Sequence, residues 1–167
     1  AAQRLLRLRE VLWIPAHLPP HKPVEGDATP QDRARMVELA IAGHAGQSLC
    51  RVELERPPPS YTIDTVEELR RRYPPKTEFF LLLGFDTATQ LSSWRRFARL
   101  RTLVRFAAIP RPGIRVRNLH PSVTPLPVFS ADISSTEVRR RVRQGLSIEP
   151  LVPGPVRRYI EEWGLYR

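Results

Sequence analysis

Three features of the sequence predict an α/β fold built on a parallel, doubly wound sheet with helices on both faces. Short apolar runs alternate with amphipathic helical segments, several of those runs are continuously apolar, and polar clusters follow directly after them. A continuously apolar strand is what burial on both faces demands. In such sheets ligands sit at the carboxyl ends of strands, where the strand order switches. At 167 residues the chain reads as one domain, long enough for a substantial core.

Taken in order, the first ten residues, with Leu5, Leu6 and Leu8 among arginines, read as the tail of a helix. Val11–Pro15 (VLWIP) is the first buried strand. A proline-rich loop, AHLPPHKPVEGDA, leads to Thr29-Pro30-x-Asp32, a helix start with a threonine cap, proline at the first position and an acid in the first turn. Met36, Leu39 and Ala40 carry this helix to a glycine stop at Gly43. Ser48–Leu54 alternates like a strand, and ERPPPSYT is a stiff loop. Thr62 is predicted to cap the next helix, with Ile63, Val66, Leu69 and Tyr73 inside and the pairs Glu67–Arg71 and Glu68–Arg72 outside.

Glu78–Gly84 (EFFLLLG) is the most apolar run and is expected at the centre of the sheet. Asp86 opens a short helix, and Ser92 or Ser93 another that carries Trp94, Phe97 and Leu100. Leu103–Pro110 is the next strand, Arg111–Gly113 a turn, and Pro125–Ser130 the last strand. In ISSTEVRRRV, Ser134 and Glu137 have the spacing of a capping box, and Ile133 with Val138 that of a hydrophobic staple. Val138, Val142 and Leu146 give this helix an apolar stripe, with Arg139, Arg140, Arg141 and Arg143 on its other faces. Val156–Trp163 forms a final helix.

The net charge of +10 comes from 27 basic and 17 acidic residues, and the only lysines are Lys22 and Lys76. Such a balance gathers anionic ligands without choosing between nucleic acid and phosphorylated small molecules. Hydrophobic residues at 41% and charged residues at 26% exclude a disordered chain. No run approaches a membrane span and the opening residues lack a signal-peptide design, so no membrane partner is expected. A single cysteine, Cys50, excludes an internal disulfide framework and a cysteine zinc site, leaving the cytoplasm as the default location.

Five polar clusters follow the strands and are expected to gather on one edge: HLPPHK, PPPSYT, GFD, RPG and SST. In the first, Lys22 with His17 and His21 either holds phosphate oxygens or merely solvates a loop. Ser60, Tyr61 and Thr62 lie at a helix start whose N–H groups either receive a carboxylate or form a simple cap. Trp94 either stacks on a planar ring or belongs to the core with Phe97. Asp86 either accepts from a ribose hydroxyl or caps its helix, and Arg111 is aimed by its turn toward phosphate. Ser134, Ser135, Thr136 and Arg139 form a hydroxyl-rich helix start suited to phosphate, or an ordinary capped helix.

Taken together, PAHLPPHK, ERPPPSYTIDT, LLLGFDTATQLSSW, IPRPG, ISSTEVRRRV and VRRYIEEWGLY resemble the bacterial nicotinate-nucleotide adenylyltransferases of the nucleotidyltransferase superfamily. The match runs from Val11 onward. The resemblance implies a Rossmann-like fold over residues 1–167 and transfer of AMP from ATP to nicotinate mononucleotide, giving deamido-NAD and pyrophosphate. It further implies magnesium as cofactor with ATP, no covalent enzyme intermediate, no specific nucleic-acid partner, and a possible homo-oligomer. On that template Ser134, Ser135, Thr136 and Arg139 hold ATP phosphates, and Lys22 and Arg111 serve phosphate groups. The Tyr61–Thr62 backbone and the Trp94 ring receive the nicotinate, with Asp86 near the nucleotide.

The chain departs from that family where Gly84-Phe85-Asp86 replaces an alanine–aspartate pair and where Ser93 precedes the tryptophan in place of proline. The family's opening strand and its histidine–x–glycine–histidine motif have no counterpart in these residues, and the His17–His21 loop already matches another family segment. The expectation is therefore an N-terminally truncated domain that lacks its first strand, with no catalytic residue identified and no protein ligand for a metal. Two other readings compete: a pantetheine-phosphate type adenylyltransferase, against which SYTIDT and Trp94 argue, and a basic nucleic-acid-binding module, against which the scattered arginines argue. We expect the chain as written to release little pyrophosphate from ATP and nicotinate mononucleotide; full turnover in a pyrophosphate-release assay would refute this.

Overall fold

In the computed structural model, residues 1–18, 28–110, 119–128, 131 and 133–167 are described. The elements in chain order are α1 (Ala2–Leu5), β1 (Val11–Trp13), α2 (Pro30–Ile41), β2 (Gln47–Leu49), α3 (Thr62–Arg72), β3 (Phe80–Gly84), α4 (Phe85–Ala88), a 3-10 turn (Leu91–Ser93), α5 (Phe97–Leu103), β4 (Arg105–Ile109), β5 (Val123–Pro125), α6 (Ser135–Arg143) and α7 (Gly154–Glu162). Every strand pairing is parallel, as the alternation of strands and helices requires. The strands divide between two sheets, β1-β2 and β3-β4-β5, in place of one continuous ladder. The chain likewise divides into two compact units, Ala1–Leu6 with Tyr61–Asp132 and Arg7–Ser60 with Ile133–Arg167.

In the first unit the middle strand is β4, not the more apolar β3. Phe106, Ala107 and Ala108 are buried in succession, while Phe80, Leu81 and Leu82 are only half-buried. Hydropathy counts the size of apolar side chains; a central position instead rewards small ones that let covering layers approach both faces. Ile63 and Val66 of α3 pack with Leu83, Ala88, Leu91, Leu100, Val104, Phe106 and Val123. Tyr73 falls just past the end of α3 and meets Phe79 edge-on, with ring centroids 5.5 Å apart. Arg72 pairs with Glu68 as expected, but Glu67 takes Arg96 at 3.0 Å and Arg99 at 3.5 Å rather than Arg71. A bidentate partner from another element outcompetes a neighbour one turn away. The helix expected from Ser92 or Ser93 breaks at Arg96, whose φ of 53° is left-handed, so α5 starts at Phe97.

In the second unit, Thr29 caps α2 with a complete capping box. The Asp32 amide donates to Thr29 Oγ1 (3.1 Å), and the Thr29 amide donates to Asp32 Oδ2 (2.8 Å). Gly43, at φ 78°, follows the helix where the glycine stop is expected. The β2 strand ends at Leu49, short of the expected Leu54: Cys50–Glu55 turns over instead, with the Leu54 amide on the Arg51 carbonyl at 2.8 Å. The alternation in CRVEL thus reports a turn that buries Val52, not a longer strand. The last strand likewise lies earlier than Pro125–Ser130, at Val123–Pro125, of which residues 129–130 fall outside the described set.

Val138 of α6 packs with Ile148, Val156, Ile160 and Leu165. Its stripe reaches Val142 but not Leu146, which is 49% exposed beyond the helix end. Ile133 is 43% exposed, so the proposed staple is not closed. The capping box at Ser134 is half-formed: the Glu137 amide donates to Ser134 Oγ (3.1 Å), while the Glu137 carboxylate turns to Arg140 and Arg141. No helix among the described residues is long and apolar enough to cross a membrane.

The Tyr159 hydroxyl of α7 donates to Asp32 Oδ1 (2.8 Å), joining two helices 127 positions apart. Hydrogen bonds from the Thr29 side chain, helped by Tyr159, hold Asp32 below the ordinary aspartate value of 3.8. A carboxyl depressed in the folded state contributes stability above its unfolded value and loses it as pH falls through the folded one. D32N is therefore expected to lower stability at pH 7 by about 1 kcal/mol. That penalty shrinks as wild type is acidified below about pH 4, which urea unfolding across pH 2–7 measures.

Candidate functional site

The predicted site residues fall in both units, and each unit holds its own set. In the first unit, Tyr61 precedes α3 as its N-cap, and Thr62, predicted as the cap, is instead the first helical residue. Tyr61 has no hydroxyl near its own backbone, so no side chain caps this end. The Asp64 amide and, more loosely, the Thr65 amide (3.3 Å) turn back to the Tyr61 carbonyl. The amides of Thr62 and Ile63 have no acceptor within the helix, because no preceding turn supplies one. The helix dipole adds partial positive charge at the same point.

Trp94 ends the 3-10 turn and is half-buried, packed with Tyr61 and Phe97 around one apolar cluster. This tryptophan therefore lies at the core margin, with part of its surface accessible. Asp86 is exposed in the first turn of α4, directly after Gly84 at the carboxyl end of β3. Its carbonyl accepts from Thr89 Oγ1 at 2.8 Å. Arg111 lies outside the described residues.

One residue that sequence reasoning missed stands between the predicted ones. The Arg95 guanidinium lies over the Tyr61 ring, 4.5 Å from its centroid. The sequence signal was weak, since Arg95 is one of two adjacent arginines after a tryptophan and nothing separates their roles. The fold separates them: Arg96 goes to Glu67 and Arg95 to the tyrosine face.

In the second unit, Ser135 and Thr136 are exposed on the first turn of α6, and their amides precede the first helical acceptor. Two charge-assisted partners, Arg140 first and then Arg141, hold the Glu137 carboxyl down at about 2. Arg140 and Arg141 are thereby engaged along the helix, while Arg139 lies with one guanidinium nitrogen 3.3 Å from Thr136 Oγ1. Hydroxyls, unbonded first-turn amides and a guanidinium therefore share one helix start, the chemistry that suits a phosphate.

Lys22 and His21 lie outside the described residues, but the approach to them is well defined. The Arg33 guanidinium donates to the carbonyls of Ala16 (2.7 Å) and His17 (2.9 Å). The His17 amide donates to Ser60 Oγ (3.1 Å), and the Ser60 amide donates to the Leu18 carbonyl (3.0 Å). His17 Nδ1 lies 3.2 Å from the Arg56 carbonyl. His17 and buried Ser60 thus fasten two loops together, which gives both a positioning role. Arg33 was not anticipated, because a helical arginine beside an acid reads as a solvated face. Among the described residues no group of three or more His, Cys, Asp or Glu side chains sits together as a metal site.

Comparisons with known proteins extend this geometry. The cytidylyltransferase-like family model matches residues 1–141. A protein of Geobacillus kaustophilus named "Probable nicotinate-nucleotide adenylyltransferase" is 43% identical over 162 residues, 96% of this chain and 74% of that one. A protein of the same name from Thermus thermophilus is 41% identical, with 99% of this chain and 88% of that one covered. Among solved structures, nicotinic acid mononucleotide adenylyltransferase of Plasmodium falciparum complexed with NaAD superposes with a TM-score of 0.74 at 17% identity, covering 98% of this chain and 87% of that one. The same protein complexed with APC gives 0.68 at 18% identity, covering 99% and 86%. At such identities the two structures speak for a shared fold.

Removing the Arg33 guanidinium strips two carbonyls of a charged donor in a half-buried loop. R33A is expected to cost roughly 2–3 kcal/mol in urea unfolding, and S60A less, since it removes one acceptor.

Proposed function

We infer that this chain, a member of the cytidylyltransferase-like family and within it of the nicotinate-nucleotide adenylyltransferases, carries the substrate-binding elements for transfer of the adenylyl group of ATP to nicotinate mononucleotide. The products are deamido-NAD and pyrophosphate, a step of NAD biosynthesis. A phosphate oxygen of the mononucleotide attacks the α-phosphorus of ATP in line. The new P–O bond forms as the bond from the α-phosphorus to the bridging oxygen breaks, and pyrophosphate departs with that electron pair. The protein's share of such a displacement is alignment and charge stabilisation.

The single observation that carries the assignment is 41–43% identity over nearly the whole chain to proteins of that name, from Geobacillus to Thermus. On this reading Ser135, Thr136 and Arg139, with Ser134 closing the turn, receive ATP phosphates at the start of α6. The exposed hydroxyls and amides there support it. The uncapped start of α3 and the half-buried Trp94 ring receive the nicotinate, with Asp86 toward the nucleotide. Lys22 and Arg111 serve phosphate groups. Magnesium would be carried on the ATP phosphates, and no step here is routed through it.

The competing assignment within the superfamily takes phosphopantetheine as acceptor, and thermal unfolding separates the two. Nicotinate mononucleotide at about 100 times its Kd is expected to raise Tm by roughly 5–10 °C. Stabilisation by phosphopantetheine but not by nicotinate mononucleotide would reverse the choice.

A further inference from the structure

We propose that Arg95 is a specificity-determining residue of the nicotinate pocket, presenting a guanidinium to the substrate's carboxylate and thereby selecting the acid over the amide. This rests on the function inferred above and adds to it a residue and a reason for discrimination.

Three features of the first unit carry the inference. The first is the direction imposed by the backbone. Trp94 closes a 3-10 turn in an extended conformation, and Arg96 is left-handed at φ 53°. The chain therefore bends sharply on either side of Arg95, and the residue leaves the helical register that would have pointed it along α5. The second is the division of charge. Arg96 and Arg99 both pair with Glu67, at 3.0 and 3.5 Å. Arg95 has no acidic partner among the described residues, and its recorded contact is the face of Tyr61, 4.5 Å to the centroid. An arginine resting on an aromatic face keeps its in-plane N–H donors available, because the ring takes only the flat face of the guanidinium.

The third feature is what Tyr61 is. It is the N-cap of α3, so the ring on which Arg95 rests belongs to the residue that immediately precedes the amides lacking helical acceptors. Trp94, adjacent in sequence, borders the same apolar cluster as Tyr61. A flat ring bearing a carboxylate fits this arrangement: an apolar edge from Trp94, amide donors from α3 and a full positive charge from Arg95. A carboxamide of the same shape keeps the ring contact and forfeits the charge. Discrimination then falls on Arg95 and the helix start, while Trp94 serves both ligands alike.

The test is calorimetric titration of wild type, R95Q, R95K and Y61L with nicotinate mononucleotide and with nicotinamide mononucleotide. R95Q is expected to weaken the acid about tenfold, as the loss of one charge-assisted hydrogen bond does, and to leave the amide within about twofold. R95K retains the charge without the flat stacking and is expected between the two. Y61L releases the guanidinium and is expected to follow R95Q in direction. An equal loss for both ligands in R95Q would show a structural role, and no loss for the acid would show no role; either overturns the inference while the assigned function stands. A wild-type chain that binds phosphopantetheine and neither mononucleotide would instead remove the function and this inference together.

Discussion

Parallel pairing is the constraint from which the remaining organisation follows. Two parallel strands cannot be joined by a tight turn, so the chain must cross back over the sheet before it pairs again. Between β1 and β2 that return is α2, and between β3 and β4 it is α4, the 3-10 turn and α5. Each crossing covers a face that would otherwise meet water, which is why Phe106, Ala107 and Ala108 can all be apolar and buried. It also fixes where chemistry can sit. Strands that run the same way finish at the same edge, so within each unit the segments just past them share a side. Asp86 after β3 and the His17 loop after β1 are products of that rule.

Fold class and helix starts were legible in the residues because their causes are local. Thr29, Pro30 and Asp32 form a helix start in any context, and the structure contains it as read. Ser134 caps α6 for the same reason. Legibility failed where several partners competed for one side chain. Glu137 has the spacing to complete a box but answers to Arg140 and Arg141, and Glu67 answers to Arg96 rather than Arg71. The cap of α3 lies one residue earlier, at Tyr61, which supplies the extended turn without a side-chain cap. Among site residues, those carried by a family resemblance were placed by segment order. Arg33 and Arg95 were not, since their roles exist only once α2 faces the His17 loop and a left-handed residue follows Trp94. The five post-strand clusters draw on residues of both units, and HLPPHK and RPG fall partly outside the described residues.

A net charge of +10 is not a uniform coat. Glu38, Glu67 and Glu137 each take two arginines, from Arg35 and Arg51, Arg96 and Arg99, and Arg140 and Arg141. Mostly exposed pairs of this kind contribute little to stability one at a time. Their effect is on distribution, because a carboxylate shared by two guanidiniums leaves residual positive charge in place while fixing the geometry of both. An anionic co-substrate meets a field that is positive on average, with several of its cations held in place by shared carboxylates. A stacked arginine such as Arg95 is then distinguished by what it is not bound to.

The bond between Tyr159 and Asp32 also bears on synthesis. Its unit draws residues Arg7–Ser60 from early in the chain and Ile133–Arg167 from its end. A ribosome delivers the α2 helix long before α7 exists, so the early piece must wait with Met36 and Leu39 uncovered. The intervening residues can meanwhile close around α3 and β4, since most of their contacts lie within one continuous stretch. Maturation of this stretch is thus ordered from the middle outward, and the emergence of α7 determines when α2 is secured.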